Sequence, residues 1–217
     1  SDSEKYYSVS DNKKKVLKKE LDYSKALGLS LIKIAENNDK IRCITAAMEV
    51  GTGLSEFINK YPDKYIDVGI AEEHAVTYAG GLAAAGLHPI VCIYSTFMQR
   101  SFDCIFHDIL LQDLPVIFCM DRAGLVGPDG PTHHGVFDIS MLNILPNIII
   151  TAPKDGNELL DLLYTATKLE KPFAIRYPKD SAVVSNLKRV PDILISIPFY
   201  QDFTTRLTNE NSFEESI

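Results

Sequence analysis

Glu72, Glu73 and His74 stand side by side in the stretch DVGIAEEHAVTYAGGLAAAG, residues 67–86, whose other positions are mostly Ala, Val, Leu and Gly. A carboxylate in such surroundings costs free energy unless a partner compensates it. The composition predicts a helix over Ile70–Ala85 closed by Gly86, with both glutamates in its first turn. There the positive end of the helix dipole favours them by about 0.3–1 kcal/mol each. The stripes 72/75/76/79/83 and 73/76/77/80/84 are both small and mostly apolar, so the helix is expected to be covered nearly all round, as in an interface. One glutamate then faces protein or ligand, and periodicity does not choose between them. Gly80 and Gly81 each cost about 1 kcal/mol relative to Ala in a helix interior, which suits another backbone packed closely against them.

A second concentration of polar chemistry is RAGLVGPDGPTHHGVFD, residues 122–138, with four Gly, two Pro, two Asp, two His and an Arg. A loop of that length inside a compact domain is usually functional. Its imidazoles, His133 and His134, suit proton transfer near neutral pH, or else simply face solvent in a turn. Adjacent histidines without a spaced third ligand are a weak metal signal, so no metal site is expected in this chain. Phe97 and Arg100 follow a strand-like run in TFMQRSFDCIFHD, and Arg176 ends another in PFAIRYP.

These residues need a frame. Six short apolar runs, IRCITA (41–46), YIDVG (65–69), PIVCIYS (89–95), PVIFCMD (115–121), NIIITAP (147–153) and PFAIRYP (172–178), alternate with longer helical patterns. Most are apolar on both faces, which predicts an α/β three-layer domain: a mostly parallel sheet covered by helices on both faces. Ligands of such sheets bind at the carboxyl ends of the strands, where the polar loops above are found. Residues 1–22 form a polar arm, with a possible helix near 12–20. Residues 23–184 form the domain, and 185–217 a C-terminal tail or linker containing a strand-like ILISI.

Composition bounds the function. The chain is 46% hydrophobic and 24% charged, as globular domains are, and its net charge of −7 argues against a nucleic-acid partner. No run is long and apolar enough for a membrane span, and no signal peptide is visible. Cys43, Cys92, Cys104 and Cys119 show no CxxC spacing, so buried free thiols in a reduced compartment are expected rather than a disulfide framework.

The segment from Asp67 to Asp138, together with AMEVGTGL at 47–54 and RYPKD at 176–180, resembles the central, pyrimidine-binding domain of the 1-deoxy-D-xylulose-5-phosphate synthases, thiamine-diphosphate enzymes of the transketolase superfamily. The likeness runs from about Leu21 through DSAV at 180–183. The β subunits of 2-oxo acid dehydrogenases are similar in fold and in the helix-opening Glu, but lack the combination of YSTFMQR and DGPTHHG.

The resemblance implies roles. Glu72 would bond the cofactor's pyrimidine N1′, and Phe97 would stack on the aminopyrimidine ring. Arg100 would lie at the cofactor site. Arg122 and Arg176, with Tyr94 nearby, would bind the acceptor's phosphate, for which a bidentate guanidinium is well shaped. Asp129 and His133 would contact the donor-derived and acceptor oxygens, His133 as a catalytic acid–base. The implied reaction condenses pyruvate with glyceraldehyde 3-phosphate, with loss of CO2, for isoprenoid, thiamine and pyridoxal biosynthesis. Such enzymes hold Mg2+ and the cofactor's diphosphate through a GDG motif followed by Asn, which these 217 residues lack. The resemblance therefore implies that Mg2+ is bound by an absent domain and that missing N- and C-terminal domains are partners. It further implies a homodimer, a plastid (apicoplast or chloroplast) or bacterial cytoplasmic location, and inactivity of this chain alone. Two alternatives carry the same fold: a 2-oxo acid dehydrogenase β subunit and a noncatalytic assembly module.

Overall fold

A computed structural model describes residues 21–183. The described chain begins with β1 (Leu21–Asp22), which pairs antiparallel with the last strand, β8 (Ser181–Ala182). Between them lie β2 (Ile41–Thr45), β3 (Tyr65–Asp67), β4 (His88–Tyr94), β5 (Ile117–Asp121), β6 (Ile149–Thr151) and β7 (Phe173–Arg176). These form one sheet in the order β3-β2-β4-β5-β7-β6, and every neighbouring pair is parallel. All six expected runs are strands; five are shorter than the apolar run that announced them, and β4 keeps the full seven residues one position earlier.

The connections carry α1 (Tyr23–Ala35), α2 (Ser55–Lys60), α3 (Glu72–Ala84), α4 (Ser95–Met98), a π-helical turn (Ile105–Leu110), α5 (Asp138–Asn143) and α6 (Gly156–Leu169). They cover both faces of the sheet. On one side α1, α2 and α6 bury Leu27, Leu31, Phe57 and Leu163 against Cys43, Cys92, Cys119 and Phe173. On the other, α3, α4, the π turn and α5 bury Ala75, Ala79, Met98, Ile109 and Leu142 against Ile44, Val91, Ile93 and Phe118. Successive residues of β4 thus feed opposite layers, which is why its sequence is apolar throughout instead of alternating. Asp22 caps α1 by accepting from Lys25 N at 2.7 Å, and Asp155 caps α6 by accepting from Asn157 N and Glu158 N.

The helix expected over Ile70–Ala85 begins at Glu72. Gly69, with φ +72°, and Ala71, whose N–H donates to Gly69 O at 2.8 Å, make a turn that leaves Ile70 83% exposed. Only the first of its two stripes is covered throughout: Glu72, Ala75, Val76, Ala79 and Ala83 are buried, whereas in the second Val76 and Gly80 are buried but Glu73, Thr77 and Ala84 are exposed. The paired glycines divide accordingly. A Cβ at Gly80 would lie 3.0 Å from Ile109 and 3.2 Å from Asp108 O of the π turn, while one at Gly81 would meet nothing within 4 Å. The tail 185–217 and the possible helix near 12–20 lie outside the described residues, as does most of the arm, although Leu21 and Asp22 are built into β1. Among the described residues no helix is long and apolar enough to cross a membrane, and all four cysteines are free, with Cys43, Cys92 and Cys119 buried.

Candidate functional site

The parallel sheet brings its polar strand ends to one edge. β3 leads into Glu72, β4 ends at Tyr94 before Phe97 and Arg100, β5 ends at Asp121 before Arg122, and β7 ends at Arg176. Register on the sheet decides what periodicity left open: Glu72 is 2% exposed and Glu73 faces solvent. Glu72 Oε1 accepts from Arg100 Nη1 at 2.7 Å, and its second oxygen has no partner among the described residues. Arg100 is half exposed, and its guanidinium carbon lies 5.0 Å from the Phe97 ring centroid. Phe97 stacks with Tyr94 at 5.8 Å and takes the edge of His133 at 5.4 Å, with Tyr94 and His133 6.3 Å apart.

Arg122 completes this cluster from the far side of Tyr94. Its guanidinium carbon lies 3.9 Å from the Tyr94 ring centroid. Nη1 donates to Gly51 O at 2.5 Å and to Asp121 Oδ1 at 3.0 Å, and Nε donates to Asp129 Oδ2 at 3.3 Å. Its backbone is left-handed, φ 60°, a conformation that a non-Gly residue keeps only when its surroundings hold it. Gly51 is required here for space: a Cβ would fall 1.7 Å from the Tyr94 hydroxyl oxygen. Burial pushes the Tyr94 phenol up, with Arg122 opposing, so it is a neutral hydrogen-bonding and stacking group near neutral pH.

The loop 122–138 is pinched at its base, Gly124 and Gly135 exchanging backbone hydrogen bonds of 2.8 and 2.9 Å. Two short turns, Gly127–Asp129 and Pro131–His133, present Asp129 and His133. His134 is used structurally, accepting from Val126 N at 3.1 Å. Asp129 also pairs with Lys179. Burial raises the Asp129 carboxyl, but Lys179 and Arg122 outweigh it and hold it below the ordinary carboxylate range. Arg176, which stands opposite Met120 in the parallel β5–β7 pair, has a partner that none of the other seven residues singled out by the sequence shares: its Nε donates at 2.8 Å to Oδ2 of Asp138, the first residue of α5.

Sequence reasoning missed three groups. Asp121 is fully buried, accepts from Ser24 Oγ at 2.6 Å and from Arg122 N at 2.7 Å, and burial pushes its carboxyl up to about 6 against those partners. Asp138, 2% exposed, binds Arg176 and accepts from Ile139 N at 2.8 Å. Lys179 shares Asp129 with Arg122. An acidic residue closing an apolar strand next to Arg was the available signal for Asp121; neither Asp138 nor Lys179 stands out in its local sequence.

Glu72, buried beside an accessible aromatic face and with an oxygen to spare, suits a ligand that combines a flat ring with a hydrogen-bond donor. Residues 19–183 match the family described as transketolase, pyrimidine binding domain. The chain is similar to the 1-deoxy-D-xylulose-5-phosphate synthase of Dictyoglomus thermophilum, 56% identical over 171 residues, covering 79% of this chain and 28% of the relative. It is also 56% identical over 160 residues to the synthase of Aquifex aeolicus, covering 74% of this chain and 26% of that protein. The chain thus spans under a third of the curated relatives it matches. Among solved structures it resembles a split-gene transketolase described as an inactive β4 tetramer, with TM-score 0.68 and 26% identity over 81% of this chain and 56% of that one. Transketolase of Campylobacter jejuni shares the fold, with TM-score 0.68 and 20% identity over 85% of this chain and 29% of that one.

Proposed function

The chain belongs to the transketolase pyrimidine-binding domain family, and from that premise we propose that it is the pyrimidine half of a 1-deoxy-D-xylulose-5-phosphate synthase, condensing pyruvate with glyceraldehyde 3-phosphate and releasing CO2. The observation that carries the proposal is Glu72: a buried carboxylate, held by Arg100 through one oxygen, beside the Phe97 ring. Bound thiamine diphosphate would supply the nucleophilic carbon that takes up pyruvate. Glu72 would hold the pyrimidine N1′ proton through its second oxygen, and a charge-assisted bond in a site screened from water is among the stronger ones available. Phe97 would give the ring a flat face, with Arg100 fixing the Glu72 carboxylate.

Tyr94, Arg122, Asp129, His133 and Arg176 would serve the substrates. Arg122, stacked on Tyr94, and Arg176 would carry the acceptor's phosphate, and His133, at the edge of Phe97, would hold or move a proton on an acceptor oxygen. Mg2+ and the cofactor's diphosphate would be held by another domain, since the sequence lacks the GDG motif that such enzymes use. Completing domains and a homodimeric assembly are part of the same reading. The enzyme would act in the cytoplasm if bacterial, or in a plastid (apicoplast or chloroplast) if eukaryotic. The curated relatives reported above are synthases, which favours this reading over a 2-oxo acid dehydrogenase subunit or an assembly module.

The test uses the complete polypeptide that contains this domain. Glu72→Gln should bind thiamine diphosphate nearly as the unaltered enzyme does, while CO2 release from pyruvate in the presence of glyceraldehyde 3-phosphate falls by about 10²–10³, the usual effect of removing one preorganised electrostatic contact. The 217-residue chain by itself should give no turnover. Turnover by Glu72→Gln within about threefold of the unaltered enzyme would refute the assignment.

A further inference from the structure

The three longest helices begin differently. Asp22 caps α1 and Asp155 caps α6, but α3, whose first residue is Glu72, has no side-chain cap, because its N-cap is Ala71. Ile70 before it is exposed and adds little packing. The entry of α3 depends instead on the Gly69–Ala71 turn, and that turn is held by Asp67. Asp67 Oδ1 accepts from Gly69 N at 2.9 Å, a local turn of the kind Asp side chains make with the backbone two residues on. The same oxygen accepts from Ala47 N at 2.8 Å. Ala47 is left-handed, φ 58°, which a non-Gly residue keeps only where its surroundings hold it. Parallel register sets Asp67 opposite Thr45, so the carboxylate stands where β2 and β3 both end. The ladder between them closes with Val68 N donating to Thr45 O at 3.1 Å, and Asp67 Oδ1 adds the next tie. Beyond Ala47 the chain reaches Met48, whose Sδ accepts from Tyr94 N at 3.4 Å, and Gly51, whose carbonyl accepts from Arg122. One oxygen thus joins the turn that launches Glu72 to the segment that supports Tyr94 and Arg122.

We infer that Asp67 is a positioning residue for Glu72: by holding Gly69 and Ala47 on one oxygen, it fixes where the uncapped start of α3 places the Glu72 carboxylate. The inference rests on the synthase reading above, in which Glu72 serves the cofactor's pyrimidine, and adds to it a residue that touches neither cofactor nor substrate. Arg100 orients the carboxylate from its far end, through Oε1; Asp67 sets the backbone from which that side chain departs. Asp67 is itself exposed, so water can replace it as an acceptor and the fold loses little without it. A free water, however, fixes neither chain segment, and a small displacement of a reacting group is enough to slow a reaction.

The test uses the complete polypeptide that contains this domain, first without added cofactor. Amide hydrogen exchange in peptides covering residues 70–78 should be about tenfold faster in Asp67→Ala than in the unaltered protein, with peptides from β5 and α6 unchanged. Asp67→Asn keeps an oxygen that can accept from both amides and should stay within about threefold. The thermal midpoint of Asp67→Ala should move by under about 4 °C; if that variant does not fold, Asp67→Glu, which shifts the acceptor by one methylene, should show the same faster exchange. With cofactor and both substrates present, Asp67→Ala should lower kcat by about tenfold and leave KM for pyruvate within about twofold, and Asp67→Asn should recover most of the rate. In a Glu72→Gln background the change Asp67→Ala should cost under about twofold more, because the carboxylate it positions is gone. Unchanged exchange over 70–78, an Asn variant as impaired as the Ala variant, or equal losses in the two backgrounds would overturn the inference. Turnover retained by Glu72→Gln would overturn the synthase reading, whereas loss in Glu72→Gln without loss in Asp67→Ala would overturn only the role given to Asp67.

Discussion

Replacing Arg176 by Ala should unfold the domain more readily before it reports anything about a substrate. Asp138 is 2% exposed, its Oδ2 accepts from Arg176 Nε at 2.8 Å, and its Oδ1 is taken by Ile139 N at 2.8 Å. Removing the guanidinium leaves a buried carboxylate with one backbone donor and no cation among the described residues. Breaking a buried pair in this way costs about 3–5 kcal/mol, and because Arg176 keeps 21% of its side chain in water the lower end, about 3 kcal/mol, applies. In urea unfolding, with a slope of about 2 kcal/mol per molar, the midpoint should fall by about 1.5 M. Arg176→Ala/Asp138→Asn should recover most of the loss, to within about 1 kcal/mol of the unaltered chain, because the second change removes the stranded charge. A midpoint shift of under about 0.3 M in Arg176→Ala, or a double variant no more stable than the single, would refute this account of the pair. A turnover defect in Arg176→Ala therefore bears on phosphate binding only when compared with the double variant.

Two further outcomes follow from burial. The Asp121 carboxyl is raised from an ordinary 3.8 to about 6, chiefly by burial, so the folded state holds that proton more tightly than the unfolded one. Its contribution is fully present below about pH 4 and lost as pH rises through about 6, a change of roughly 3 kcal/mol. The stability of the unaltered chain relative to Asp121→Asn should fall by about that amount between pH 4 and 7, and a pH-independent difference between the two unfolding curves would count against it. For the paired glycines of α3, Gly81→Ala should stabilise the isolated chain by up to about 1 kcal/mol through helix propensity. Gly80→Ala should gain less or destabilise, because its Cβ meets the π turn at 3.0–3.2 Å; equal thermal shifts for the two would show that the π turn yields freely.

The sheet was legible in the sequence because its strands are buried on both faces, so each appears as a continuous apolar run, and the polar loops at their carboxyl ends marked out the candidate site. Glu72 and Glu73 could not be separated that way. They are neighbours in one turn, and only the seating of Ala75, Ala79 and Ala83 on the sheet turns one inward and the other to solvent. Arg122 and Arg176 look alike as strand-ending arginines, yet one is clamped among Tyr94, Gly51 and two carboxylates while the other holds Asp138. That difference depends on the path of the 122–138 loop, which positive-φ residues and a pinched base determine, with no periodicity to read. The coverage expected along the whole of α3 was inferred from small residues, and small residues mark close approach without saying whether the approaching surface belongs to the same chain.

The antiparallel pair of Leu21 with Ala182 and Asp22 with Ser181 brings the entry and exit of the layered domain to the same point. In topological terms it is a hairpin whose turn is the entire domain. A unit with adjacent ends can be set into a longer polypeptide without changing the distance the flanking chain must span, so insertion adds little loop-closure entropy. The same adjacency makes the unit cyclisable: a linker of a few residues from 183 to 21 would close it, and new ends could then be opened in an exposed connection elsewhere with the six-stranded sheet preserved.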